Sequence, residues 1–270
     1  MDVALCTLNQ ITYTVQLFEA LSAAEIGKQR KFLVCPECKG PGFYRKESTS
    51  GQAACFGARP HAPKCGLAAA EARHAGGMGP DQDERINLGE RIEVDFNYGT
   101  QEVDHSDPGE PSDASGRGGR YVNAGSGPRR AVMHRRLSTL LKNLIHAPDF
   151  QQSEQLIAMP EGEFRVKDFF VDFRSIDESL LDEYRGYWGM LSDSRFGRDN
   201  ALWLNTGGRD DVSLVVDEAS VGEFGKRFDV KSTEDLAGSY VLVFGRLKKS
   251  SKDKKYISIS DIGYCTISLA

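Results

Sequence analysis

The sequence predicts a mixed α+β chain built mainly of strands, and three observations carry that reading. Four of the six cysteines and one of the five histidines fall in a single window from Cys35 to Cys65. A stretch rich in acids, then in glycine and serine, follows that window. Beyond Tyr184 come four or five strand-like runs broken by Gly, Asp and Ser turns. The expected order is an N-terminal zinc-ribbon-like module over 1–70 and a flexible acidic, Gly/Ser-rich linker over 71–128. A basic helix with its connecting segment over 129–183 and an OB-type β-barrel over 184–270 complete the chain.

Whole-chain quantities limit these elements. A length of 270 residues with 27% charged residues and a mean hydropathy of -0.42 suits two modest domains joined by a polar connection. No run of ~18 apolar residues is present to span a bilayer, and the N-terminus "MDVALCTLNQ" lacks the basic and apolar regions of a secretory signal. A cytoplasmic location without membrane contact is therefore expected. Reducing conditions there favour thiols, so clustered cysteines read as metal ligands before they read as disulfides. The formal charge of -5 argues against a general coat for nucleic acid, which leaves the local arrangement of charge to decide.

The N-terminal module rests on ligand spacing. Zinc takes four tetrahedral ligands from Cys thiolate and His nitrogen, and two cysteines two residues apart on a tight turn supply a pair at the right mutual angle. Cys35 and Cys38 fit, with Pro36 shaping the turn between the strand-like "KFLV" and "GFYRK". In "CFGARPHAPKC" three candidates, Cys55, His61 and Cys65, compete for the two remaining places. His61 and Cys65 are favoured because both can reach one point, whereas Cys55 beside Phe56 lies on an alternating piece and can point into a small core as a buried thiol. The expected set is Cys35, Cys38, His61 and Cys65 around one structural Zn2+. A catalytic zinc would need an open coordination place and a general acid or base beside it. Glu37 inside the knuckle is the residue on offer, although a charge on such a turn is usually solvated.

The order "MDVALC…ITYTVQLFEAL…KQRKFLVCPEC…YRK…FGARPHAPKC" resembles the zinc-binding N-terminal module of competence CoiA-like proteins over residues 1–70. The Cys-x-x-Cys is its most specific part. The resemblance implies a strand-led module with a metal knuckle and, for the family as a whole, a metal-dependent nuclease. This chain departs from the pattern: Phe56 precedes His61 by five residues, and a cysteine stands at Cys65. The family's Asp and Glu-x-Lys set is only imitated by "EFRVKDFF" at Glu163, so the metal-binding half is carried over and the nuclease half is not.

Between Asp81 and Asp113 there are eleven Asp/Glu against two Arg, and "SGRGGRYVNAGSGPRR" follows. Such a composition buries little. Within it "RIEVDFNYG" alternates Ile92, Val94 and Phe96, and reads either as a strand of a folded domain or as part of the linker. "RRAVMHRRLSTLLK", Arg129 to Lys142, has five Lys/Arg and no acid, with apolar residues close to helical spacing. It is expected to form a basic amphipathic helix carrying Arg130, Arg135 and Arg136.

The runs "YRGYWGMLSDSR", "NALWLNTGG", "DVSLVVDEAS" and "SYVLVFGRLKKSSKDKKYISISDIGYCTISLA" suit a small closed or partly open barrel of the OB type, with "STEDLAG" before its fourth strand. These runs form a set complete in itself, so the barrel is expected to fold without the metal module. Gly186 and Gly189 flank Trp188 where coiled strands bend. The last hairpin carries "RLKKSSKDKK", with six Lys/Arg against one Asp. OB barrels hold single strands by stacking bases on rings and passing phosphates along cations. Tyr187 and Tyr256 are expected outside as stacking rings, with Trp203 and Phe244 in the core. Arg246, Lys248, Lys249, Lys252, Lys254 and Lys255 supply the charge. The expected function is a non-enzymatic zinc protein that binds single-stranded DNA or RNA, with protein partners also open. Two alternatives stay beside it: a DNA-processing nuclease related to the CoiA-like proteins, and an interaction adaptor in which zinc module and barrel are scaffolds.

Overall fold

In the computed structural model, which describes residues 1–48, 53–62, 64–68, 91–96 and 132–269, the N-terminal strands pair first with one another. Strand β1 (Val3–Cys6) turns Ala4 and Cys6 inward and lies between β2 (Ile11–Thr14) and the two-residue β3 (Leu33–Val34), antiparallel to both. Two short helices connect β2 to β3. Thr14 caps Val15–Glu19, and a capping box of Ser22 with Glu25 starts Ala23–Gln29. The hairpin of β4 (Gly42–Arg45) and β5 (Cys55–Ala58) closes the module. Its small core is aromatic: Phe18 meets Tyr13, Tyr44 and Phe56 edge-on with centroids 4.9–5.4 Å apart.

A second sheet follows, in the order β7-β6-β8-β9, built from β6 (Arg91–Asp95), β7 (Val132–Arg136), β8 (Leu156–Met159) and β9 (Gly162–Arg165). Strand β6 runs parallel to both neighbours, so "RIEVD" belongs to a folded sheet. The expected basic helix is corrected here. Val132–Arg136 is strand, and the helix begins only at Leu137, running to His146. From there the spacing holds, since Leu137, Leu140, Leu141 and Leu144 form one buried stripe. The five residues before it were recruited by pairing residue for residue with β6, a partner far away in sequence that local periodicity does not register. Most of the acidic segment, 69–90 and 97–131, lies outside the described residues.

The third sheet has eight strands. β10 (Phe170–Asp172), β11 (Tyr184–Met190), β12 (Asp193–Phe196), β13 (Leu202–Asn205), β14 (Ser213–Val216), β15 (Tyr240–Lys249) and β16 (Lys255–Ile259) pair in the order β10-β11-β15-β16-β14-β13-β12, and β17 (Cys265–Ser268) pairs with β15. All pairs are antiparallel except β10–β11 and β14–β16. Only Leu191 and Ser192 separate β11 from β12, although these two strands lie far apart in the pairing order. Gly189, two residues before that break, has φ +152°, and a Cβ there would sit 2.6 Å from the Phe173 ring, so the bend requires glycine. The helix Glu218–Arg227 spans β14 to β15.

Strand β15 separates two cores. Val241, Val243 and Leu247 face one that includes Tyr187, Leu204, Leu214 and Ile257. Tyr240, Leu242 and Phe244 face another that includes Ile92, Ile157 and the Leu137–His146 helix. Both faces covered explains the unbroken apolar run "YVLVF". The N-terminal module is seated on the same sheet. Arg30 reaches Glu234 at 3.0 Å and the Tyr44 carbonyl at 2.8 Å, Arg45 donates to the Ala237 carbonyl, and the Tyr240 hydroxyl donates to the Arg59 carbonyl at 2.7 Å. No helix among the described residues is long and apolar enough to cross a membrane.

Candidate metal centre

The knuckle starts where β3 ends. The Cys35 N–H donates to the Gly40 carbonyl at 2.9 Å and the Lys39 N–H to the Cys35 carbonyl at 3.0 Å, folding "CPECKG" into a tight loop. Lys39 sits at φ 58°. Gly40 has no alternative, because a Cβ there would lie 2.6 Å from the Pro60 carbonyl oxygen and 3.4 Å from the Cys38 sulfur. The second loop leaves β5 and brings His61 and Cys65 to the same point, with the Cys65 N–H donating to the Ala62 carbonyl. Glu37 has a structural use: its carboxylate accepts the Gly66 N–H at 2.9 Å and ties one loop to the other.

The ligand atoms of Cys35, Cys38, His61 and Cys65 all lie within 4.8 Å of one another, close enough to hold a metal ion. The Cys35 and Cys65 sulfurs are 3.7 Å apart and the Cys38 sulfur is 3.4 Å from His61 Nδ1. An ion with metal–sulfur bonds of ~2.3 Å and a metal–nitrogen bond of ~2.0 Å sets tetrahedral edges of ~3.8 Å and ~3.5 Å, so the spacing fits a three-sulfur, one-nitrogen cage. Cys55 lies outside the group, on β5 opposite Arg45. Cys6 and Cys265 are buried elsewhere.

The thiols differ in acidity. Burial opposes ionisation of Cys38 and is the largest single influence, yet the Ala62 and Gly40 N–H groups, with His61 and Cys35, together bring its thiol down from 9.0 to about 6. Burial, and then the neighbouring Cys35 and Cys38 thiols, push Cys65 up to about 11 against the Leu67 N–H. Backbone N–H groups aimed at sulfur stabilise a thiolate, which is the form a metal binds.

Most of the residues expected to carry nucleic acid share the β15–β16 hairpin, but several are already partnered. Tyr187 is wholly buried, with its hydroxyl donating to the Glu183 carbonyl at 3.0 Å, and cannot stack a base. Tyr256 is half-buried on β16 opposite Lys248. Arg246 is paired with Glu161 at 2.9 Å, and Lys249 with Glu178 at 2.9 Å and Asp253 at 3.4 Å. Lys254 donates to the Gly208, Arg209 and Asp211 carbonyls, and Lys255 to that of Ile176. Lys248 and Lys252 are exposed and have no ion-pair partner among the described residues. Arg135 and Arg136 lie on β7, and Arg130 lies outside the described residues. Phe244 is buried, as expected for a core ring, but Trp203 is only half-buried on the outward side of β13, because Leu202 and Leu204 take the inward positions.

Sequence reasoning missed Arg195. It is exposed on β12 directly opposite Trp203, and the alternation of "DSRF" with "LWLN" was the signal that could have found it. It also sits near the lysine hairpin: burial first, then the charges of Lys31 and Arg195, hold the Lys254 ammonium below its ordinary range, against Asp211 and Asp210.

No protein-family profile matches the chain, and no curated protein matches it. Among solved structures, a chain described as an aspartyl-tRNA synthetase from Leishmania major Friedlin is similar at 12% identity and a TM-score of 0.24, covering 33% of this chain and 19% of its own length.

Proposed function

We propose that the chain is a non-enzymatic, zinc-containing protein that binds single-stranded nucleic acid along an OB-type barrel. In this reading a CoiA-like zinc module braces the barrel. The strand order supports the barrel: β11 and β12 together act as one bent first strand, followed by β13, β14, the helix Glu218–Arg227, β15 and β16, with the third and fifth strands parallel. Zinc is the ion of choice for three thiolates and an imidazole on two tight loops in a closed site with no open position.

The observation that carries the binding reading is the pairing of Arg195 with Trp203 on the outward face, beside Lys31 and the hairpin of Lys252 and Lys254. An exposed cation next to a half-buried indole offers a phosphate contact and a stacking surface together. A salt titration of binding to a labelled single strand tests it. Each phosphate contact contributes a slope of about -0.7 in log K against log salt, so replacing Arg195 and Lys252 with alanine weakens binding and flattens the slope by about 1.4. Trp203→Ala costs about 1–3 kcal/mol with the slope nearly unchanged. Unchanged affinity in both variants removes the reading in favour of an interaction adaptor, and magnesium-dependent cleavage of the strand makes the protein a nuclease.

A further inference from the structure

A cleft of about 390 Å³ opens on the outward side of β15 and β16, between the β8–β9 turn and the chain after β16. Its size falls within the ~300–1000 Å³ typical of small-ligand sites. Along one side stand Tyr184 and Tyr264, whose phenol hydroxyls have no hydrogen-bond partner among the described residues. Ser258 and Ser260 add two more hydroxyls. Lys248, exposed and without an ion-pair partner among the described residues, marks one end, and Asp261 lies at the other, past the end of β16. Lys248 pairs with Tyr256 near the start of β16, and Asp261 lies two residues past its end at Ile259.

Arg246 crosses the cleft and is held there by two bonds, to Glu161 at 2.9 Å and to the Asp182 carbonyl at 2.7 Å. The Glu161 pair is half-exposed and is exchangeable for a stronger anion. The lining thus offers cations toward one end, with Arg246 over the Tyr184 ring and Tyr264 stacked on Phe96, unpaired hydroxyls in the middle, and a carboxylate at the far end. A purely anionic ligand would meet Glu161 and Asp261, and an apolar one would bury the hydroxyls unpaired. A ligand with an anionic group at one end and an aromatic heterocycle bearing N–H donors at the other answers every group present. Burial, then the nearby Glu161 and Tyr264, hold the Tyr184 phenol protonated, so it stays a donor.

We infer that this cleft binds one nucleotide unit, with its phosphate on Lys248 and Arg246 and its base among Tyr184, Tyr264 and Asp261. The inference rests on the nucleic-acid reading and adds a place where a single base is held apart from the outward face at Trp203. On binding, the phosphate replaces Glu161 on Arg246.

Titration calorimetry of the full chain with adenosine 5′-monophosphate tests it, with adenosine and inorganic phosphate as the separated halves. The nucleotide is expected to saturate at a lower concentration than either half. Lys248→Ala weakens binding about tenfold by removing a charge-assisted contact. Glu161→Gln strengthens it severalfold by releasing Arg246, a gain that a merely structural role for Glu161 does not produce. Absence of saturable nucleotide binding overturns the inference, as does unchanged affinity in either variant. The two readings fail separately. A labelled strand that still binds while the nucleotide does not leaves the outward face and removes the cleft; a nucleotide that binds where no strand does makes the cleft a free-nucleotide site and removes the strand reading.

Discussion

Cys38 and Cys65 lie in one cluster yet are pushed in opposite directions, Cys38 down to about 6 and Cys65 up to about 11. Cys38 receives N–H groups from both loops, from Gly40 and from Ala62, whereas Cys65 receives one and faces two other sulfurs. In metal-free protein at pH 7, Cys38 is therefore mostly thiolate and Cys65 is not. Brief alkylation followed by peptide mapping is expected to label Cys38 first, and loading with zinc to abolish that label; equal labelling of both would contradict the assigned geometry. The sign of the pH effect follows from the lowered value. The stability that ionised Cys38 contributes is fully present above its ordinary 9.0 and is lost as pH falls through about 6. The clustering of Cys35, Cys38, His61 and Cys65 was readable because metal coordination demands fixed spacings along a chain. The place of Tyr187 was not. Alternation sends Tyr187 and Trp188 to opposite faces, but β11 is covered on both, so Tyr187 fills one core and Trp188 the other.

Elements meet through a few residues whose size leaves no freedom. The Phe43 ring is wedged between glycines from two parts of the chain: a Cβ at Gly57 would lie 2.2 Å from it and one at Gly238 2.5 Å from it. Gly238 also has φ +81°, where side chains are strained. Gly238→Ala is expected to cost about 2–4 kcal/mol, as backbone strain plus overpacking, and chemical denaturation measures it. A loss under 0.5 kcal/mol, the size of an ordinary surface change, would mean that the ring has room to move aside. At this scale the strands after Tyr184 were legible, since most are short runs rich in β-branched and aromatic residues with Gly, Asp or Ser turns nearby. β7 was not, because "VMHRR" abuts a true helical stripe and its strand state depends on β6, which lies on the far side of the long 97–131 segment.

Across the whole molecule the metal loops and the large sheet share their anchors. Arg30 lies five residues before Cys35 and Arg59 two before His61, and both hold the sheet, through Glu234 and through the Leu269 carbonyl at 3.0 Å. Arg30 is nearly buried, so without Glu234 its charge would have no compensating partner at that contact. The complete set of strand signals after residue 184 gave no hint of this docking, because each set of strands satisfies its own ladder and only side chains cross between them. A fragment of 184–270 would bare Trp188, Tyr240, Leu242 and Phe244, and one starting at 129 would still lack Ile92 and the whole central strand β6. Exposed patches of that kind associate rather than stay in solution. Both fragments are therefore expected to aggregate or to lack cooperative unfolding, while the full chain melts in one transition. Removing the proposed zinc, by a chelator or by Cys38→Ser, is expected to lower that single transition, because the energy of metal binding would be folding energy for the loops that carry Arg30 and Arg59. Thermal melts followed by near-ultraviolet dichroism, with the tryptophans of the large sheet as reporters, decide the matter. A tryptophan signal indifferent to the metal, alongside a soluble and cooperative 129–270 fragment, would show that module and sheet fold as separate units.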